Sequence, residues 1–191
     1  SNYCVTVDTG TLTVECREVT IKSAGAGKTY DALPLTESGF TATALEATDP
    51  HTFVVAMSAA STITNVGKQP NIIETVDGVA VTLGSGNVVG NYCVTIEADT
   101  LEVLCMPVTI KANSAMKEFD GTPLTESGFT LVTPLASTDP HVFTVKMTAA
   151  STITNAGSTP NVIDSVDGVH VEPDVSTAVG NYCVTAQNGT L

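Results

Sequence analysis

The chain has 191 residues, with 7 Lys and Arg against 20 Asp and Glu, a formal net charge of −13. That sign repels a phosphate backbone and disfavours an anionic membrane surface, which sets nucleic-acid binding aside. Hydrophobic residues make up 42 % and charged residues 14 %, the reverse of a disordered composition, so the chain buries a core.

Thr and Val are abundant and Trp is absent. β-branched side chains are stiff at χ1 and suit a pleated surface, so the expected class is all-β. No apolar run approaches the roughly 18 residues of a membrane span. No basic-then-apolar leader opens the chain, and the expectation is an excerpt of a longer, processed protein.

Taken in order, residues 1–18 read as the closing hairpin of a preceding repeat. Val19–Lys22 is the first alternating strand, followed by Lys28–Asp31 and its counterpart Lys117–Asp120. Phe40–Leu45 and Thr52–Met57 follow, with Asp49-Pro-His51 as the turn between them. In the second of these, Phe53, Val55 and Met57 align with Phe143, Val145 and Met147 and face the core. Ala56 aligns with Lys146 and faces water. Ile63 and Ile153 lead into loops containing Gly67 and Gly157. Asn71–Val76 and Val79–Leu83 flank Asp77-Gly78, a strong hairpin signal. Tyr92–Ile96 and Leu101–Leu104 close the repeat, which makes about seven strands.

The pattern then recurs. Asn-Tyr-Cys-Val-Thr begins at Asn2, Asn91 and Asn181, and Leu-Thr-Glu-Ser-Gly-Phe ends at Phe40 and Phe129. The expected organisation is one repeat over 19–105 and a second over 106–191 that stops before its last strand. Seven short strands at this spacing predict tandem immunoglobulin-like antiparallel β-sandwich repeats. No segment holds a helical period, which counts against a β-grasp fold.

Five cysteines, Cys4, Cys16, Cys93, Cys105 and Cys183, recur with the repeat. Cys4 with Cys16, and Cys93 with Cys105, flank the closing hairpins, so pairing within each hairpin is one expectation. Cys183 then needs a partner outside the fragment or in another chain. Alternation places Cys4 outward and Cys16 inward, so such a bridge needs a bulge or twist. Bridges between repeats or chains stay open. No C-x-x-C or His/Cys cluster suggests a metal, and nothing calls for a cofactor.

Other residues are weighed in the same way. His51 and His141 read as turn residues before a strand rather than as ligands or acid–base groups, and His170 as exposed. Glu37 and Glu126 read as turn carboxylates, with a carbohydrate or Ca²⁺ contact as the alternative. Asp31 and Asp120 cap turns. Lys22 with Asn91, and Lys111 with Asn181, are candidates for an isopeptide cross-link. Asn188-Gly-Thr190 is a weak glycosylation pattern. No nucleophile elbow or phosphate loop occurs, so no enzymatic reading has positive support.

Lys28-Thr-Tyr-Asp31-Ala-Leu-Pro-Leu-Thr36 and Lys117-Glu-Phe-Asp120-Gly-Thr-Pro-Leu-Thr125 resemble the K-x-Y-D-G-x-x-L-T signature of YDG/MBG-type repeats. Asn91-Tyr-Cys-Val-Thr with Thr100-Leu-Glu-Val is similar to the closing hairpin of that family. Ala32 stands at the glycine of the signature, so the turn there is not expected to need a positive φ.

The resemblance implies a secreted, cell-surface setting and a stalk or fibre role in a bacterial adhesin. The expected partners are neighbouring repeats of the same chain or like subunits. Two alternatives follow. One is an extracellular filament subunit completed by strand complementation. The other is a module that binds mucin or host glycan.

Overall fold

The computed structural model describes residues 2–191, so Ser1 of the expected hairpin lies outside the described residues. All regular structure is strand. The first repeat carries β1 (Arg17–Ser23), β2 (Ala26–Thr29), β3 (Phe40–Ala42), β4 (Val55–Met57), β5 (Gly67–Asn71), β6 (Ile73–Val76), β7 (Val79–Ala80), β8 (Gly84–Val89), β9 (Tyr92–Glu97) and β10 (Asp99–Leu104). The second carries β11 (Met106–Ala112), β12 (Phe129–Leu131), β13 (Val145–Met147), β14 (Pro160–Asn161), β15 (Ile163–Val166), β16 (Val169–His170), β17 (Ser176–Val179), β18 (Tyr182–Gln187) and β19 (Gly189–Thr190).

The chain divides into two compact units that do not follow the repeat boundaries. The first holds residues up to Ala24, Ser38–Ala60 and Asn71–Asp99. The second holds Gly25–Glu37, Ser61–Pro70 and Thr100–Leu191.

In the first unit, one sheet has the order β3-β1-β9-β8 and another β4-β6-β7. Val19, Ile21, Val94 and Ile96 from the larger sheet share one core with Ile73, Val76 and Phe53. The alternating burial of β1 and β9 supplies one face of that core. The second unit contains β2-β10-β5, β12-β11-β18-β17, β13-β15-β16 and β14-β19. Its main core gathers Val108, Ile110, Phe143, Ile163, Val166 and Val184. This is an all-β chain of several sheets, consistent with β-sandwich layering.

Three expectations need correction. The sheets are mixed rather than antiparallel throughout. β1 runs parallel to β9, Arg17 opposite Tyr92; β11 runs parallel to β18, Met106 opposite Tyr182; and β2 runs parallel to β10. Parallel neighbours need a long crossover, and almost a whole repeat separates the partners in β1·β9 and β11·β18. Secondly, residues 2–16 form no hairpin and lie exposed. A lone two-stranded hairpin is marginal in water, and residues 2–16 pack on no sheet that would hold one. Thirdly, Ala32 does adopt a positive φ of 63°, matching Gly121 at 76°. The turn geometry is held in both repeats, at a steric cost in the first.

β5 and β8 were not anticipated. Gly67-Lys-Gln-Pro and Gly84-Ser-Gly have little strand propensity, and the two segments are strands because β10 and β9 offer them a ladder. The expected Asp-Gly hairpins do form: Asp77 and Gly78 have φ of 51° and 77°, and Asp167 and Gly168 have 49° and 80°. Both central residues with φ > 0 is the type I′ pattern.

Candidate functional site

Three features of the fold carry chemistry or binding capacity: the disulfides, a duplicated polar cluster and an apolar groove.

The parallel pairing of β1 with β9 sets the disulfides. Cys16 immediately precedes β1, and Cys93 lies between the buried Tyr92 and Val94, so its side chain leaves the core face. The two Cα atoms lie 5.4 Å apart and the sulfurs are bonded. Cys105 and Cys183 repeat the arrangement ahead of β11, again with Cα atoms 5.4 Å apart. The hairpin pairings Cys4–Cys16 and Cys93–Cys105 therefore do not form. The partner of Cys183 is Cys105, within the same chain. Cys4 is an exposed free thiol. The physical reason is the one that disfavoured the hairpin bridge: the closing hairpin turns its two cysteines to different faces. Glu18 lies beside the Cys16–Cys93 sulfurs, but sulfurs joined to each other offer no thiolate to a metal.

The bridges close loops of sequence separation 77 and 78. In the chain-entropy model such a closure stabilises by about 4.5 kcal/mol, against about 3 kcal/mol for a hairpin-sized loop.

The polar cluster occurs once per repeat. His51 Nε2 lies 2.9 Å from Asp77 Oδ2, and Tyr92 Oη donates to Asp49 Oδ2 at 2.8 Å. The imidazole stacks on the Tyr92 ring with centroids 5.0 Å apart. Asp77 Oδ1 also accepts from the Val54 amide. In the second repeat His141 meets Asp167 at 2.8 Å and Tyr182 meets Asp139 at 2.6 Å. The His51 amide and then the Tyr92 hydroxyl hold the Asp49 carboxyl below its usual range. Burial, then the Asp49 hydrogen bond, pushes the Tyr92 phenol up, and burial does the same to Tyr182. A phenol whose proton is held this firmly is a poor nucleophile. The cluster fastens the Asp-Gly turn and the Asp-Pro-His turn to a strand end.

The groove lies in the second unit. Met116, Lys117, Phe119, Ile153, Gly157 and Leu191 line a volume of about 230 Å³. Its origin is plain from the first repeat. There β10 sits between β2 and β5, with Val103 opposite Lys28 and with Leu101 and Val103 buried. In the second repeat the corresponding strand is β19, two residues long. Gly189 pairs with Asn161, Ala115 N–H donates to Thr190 O, and Leu191 exchanges two hydrogen bonds with Thr159. The groove lies beside Leu191, the residue that matches Leu101. Its walls respond: 115–118 is not a strand where 26–29 is, and β14 keeps only Pro160–Asn161 of what is Gly67–Asn71 in β5.

No family model matches this sequence, and no curated protein or solved structure does. The chain's own duplicated geometry is the remaining guide.

The other predicted residues fall as follows. Asp31 and Asp120 do cap turns. Each accepts from Lys28 or Lys117 and from a backbone amide two residues on. The lysine hydrogen bond first, and then that amide, hold both carboxyls below the usual range. Glu126 Oε1 accepts the Gly128 amide, the turn role expected of it. His170 is exposed beside Glu172, whose hydrogen bond raises its pKa. Lys22 pairs with Asp99 at 3.1 Å and lies opposite Glu97, whereas Asn91 sits at the other end of the β1·β9 ladder. Lys111 likewise lies opposite Gln187 while Asn181 meets Met106. The isopeptide pairs are not brought together.

Sequence reasoning missed Asn71 and Asn161, both fully buried. Asn71 Nδ2 donates to Ala24 O, and Asn161 Nδ2 donates to Asn113 O and Glu126 O. The signal was their recurrence as Pro-Asn before an apolar pair.

Proposed function

We propose that this chain is a tension-carrying pair of tandem immunoglobulin-like repeats from the stalk of a secreted bacterial surface adhesin of the YDG/MBG type. The observation that carries the reading is the placing of the disulfides: each ties the first strand of a repeat to its last-but-one strand. Pulled from its ends, the chain transmits force through Cys16–Cys93, then along the twelve residues to Cys105, then through Cys105–Cys183. The residues enclosed by each bridge, 17–92 and 106–182, lie off that path. A repeat can then lengthen by at most about 40 Å, where an unbridged one would release about 250–280 Å more. Disulfides persist in oxidising, extracellular settings, and a negative surface keeps a crowded array soluble.

Single-molecule stretching of the chain tests this. The oxidised chain should show no unfolding step longer than about 40 Å per repeat, and reductant should add steps of about 250 Å. Long steps without reductant would sink the reading.

A further inference from the structure

We infer that Thr138, Asn181 and Tyr182 of the second repeat form a docking surface for the first repeat, with Asn181 as the clamp through which the two repeats stabilise each other. The inference goes beyond the tension reading. It concerns how consecutive repeats are joined, and it would stand if the chain bore no load.

The linker leaves little slack. β10 ends at Leu104 and β11 begins at Met106, so only Cys105 separates the last strand of the first repeat from the first strand of the second. Cys105 is itself bonded to Cys183, which follows Asn181 and Tyr182 in the chain. Tyr30, Asp31, Asn65 and Val66 of the first repeat belong to the same compact unit as the second repeat. Few contacts are needed to fix such a joint, because the tether has already removed most of the freedom that they would have to oppose.

Asn181 uses both ends of its side-chain amide across the joint. Its Nδ2 donates to Asn65 Oδ1 at 3.0 Å, and its Oδ1 accepts the Val66 amide at 2.9 Å. Its backbone carbonyl accepts from Met106, which fastens the clamp to the first strand of its own repeat. Thr138 Oγ1 donates to the Asp31 carbonyl at 2.8 Å. Tyr30 meets Tyr182 edge-on with centroids 5.7 Å apart and packs against the core built from the second repeat.

The polar residues of the joint are landmarks of the repeat. Asn181 opens Asn-Tyr-Cys-Val-Thr, Asn65 closes Ala-Ala-Ser-Thr-Ile-Thr-Asn, and Thr138 opens Thr-Asp-Pro-His. Each recurs at the matching place of the other repeat, as Asn91, Asn155 and Thr48. A side chain facing only solvent is free to vary, whereas a hydrogen bond across a joint needs a donor or an acceptor at a set place. Asparagine suits the clamp because an amide donates and accepts at once, where a carboxylate only accepts. The second repeat is therefore more stable with the first docked on it than without, the nearest-neighbour coupling of a repeat array.

The test is amide hydrogen exchange of the full chain, read residue by residue by NMR. Val66 lies outside every strand, so protection of its amide reports the clamp. In the wild type it should exchange at least about tenfold more slowly than an open loop amide. Asn181→Ala, a change 115 positions away, should remove that protection. Leu35 and Ile63, whose amides bond each other's carbonyls within the first repeat, should keep theirs. Tyr30→Ala should speed exchange in Tyr182–Gln187 several-fold and leave Arg17–Ser23 unchanged. Asn65→Ala should also speed exchange in Tyr182–Gln187, but should add nothing when Asn181 is already alanine, because the same bond is then missing. Intact-mass measurement of both disulfides and unchanged exchange in Arg17–Ser23 show that each variant folds. A Val66 amide that exchanges freely in the wild type would overturn the inference. So would Val66 protection that survives Asn181→Ala, or Asn65→Ala acting equally in both backgrounds. None of these outcomes bears on the stretching result, which depends on the disulfides.

Discussion

The segments around β10 and around β19 are the same design with a central strand of six residues and of two. In the first repeat six residues of β10 organise β2 on one side and β5 on the other. In the second, where β19 spans two residues, the stretch at 115–118 has no ladder and β14 has shrunk to two residues. The composition of the flanking segments does not explain the difference, because Gly67-Lys-Gln-Pro is no better a strand former than Gly157-Ser-Thr-Pro. The turns, by contrast, survive unchanged. Lys117 holds Asp120 as Lys28 holds Asp31, and Leu124 bridges Ile153 as Leu35 bridges Ile63. Local side-chain hydrogen bonds need no distant partner, whereas a strand edge does.

The sharpest way to break this contrast is to remove the central strand from the first repeat. Val103→Asp buries a charge at a fully enclosed site and should cost roughly 3–5 kcal/mol. Hydrogen exchange should then show Ala26–Thr29 and Gly67–Pro70 as poorly protected as 115–118. Protection that persists in β2 would mean that strand stands without β10.

A smaller effect compares two leucines in one structural role. Leu101→Ala should destabilise by roughly 2–5 kcal/mol, but Leu191→Ala by only about 1–2 kcal/mol, because Leu191 borders an open groove rather than a filled sheet. Urea unfolding of both variants decides it, and equal losses would contradict the placement of Leu191.

The smallest effect should be the same in both regions. Asp31 and Asp120 have pKa values lowered by their lysine partners. Their contribution is present above the unfolded carboxyl value near 3.9 and is lost as pH falls through the lower folded values. Carboxyl chemical shifts followed from about pH 6 to 2 should show both titrating below ordinary aspartates. A normal midpoint for either would disprove the turn cap.

Much of the fold was legible in the sequence because it is written in local chemistry. The β-branched alternation of Val19–Lys22 and Tyr92–Ile96 fixed two strands and their inward faces. Asp77-Gly78 and Asp167-Gly168 fixed two hairpins. The near-identity of the landmarks fixed the duplication. The misses share a physical cause. β8 and β5 are made of residues that would not be strands alone, and Ala32 is held at a positive φ by a turn that its own side chain disfavours. The His51–Asp77 and Tyr92–Asp49 contacts join residues 26 and 43 positions apart, a distance over which a single sequence carries no pairing signal.

The cysteines mark the boundary most clearly. By itself the sequence determined that they recur with the repeat and sit at strand ends, since spacing and alternation are properties of the chain. Only the tertiary structure decided who bonds to whom. Sulfur pairing depends on which strands are neighbours, and the parallel approach of the first strand to the ninth is set by burial of Ile21, Val94 and Ile96 in a common core.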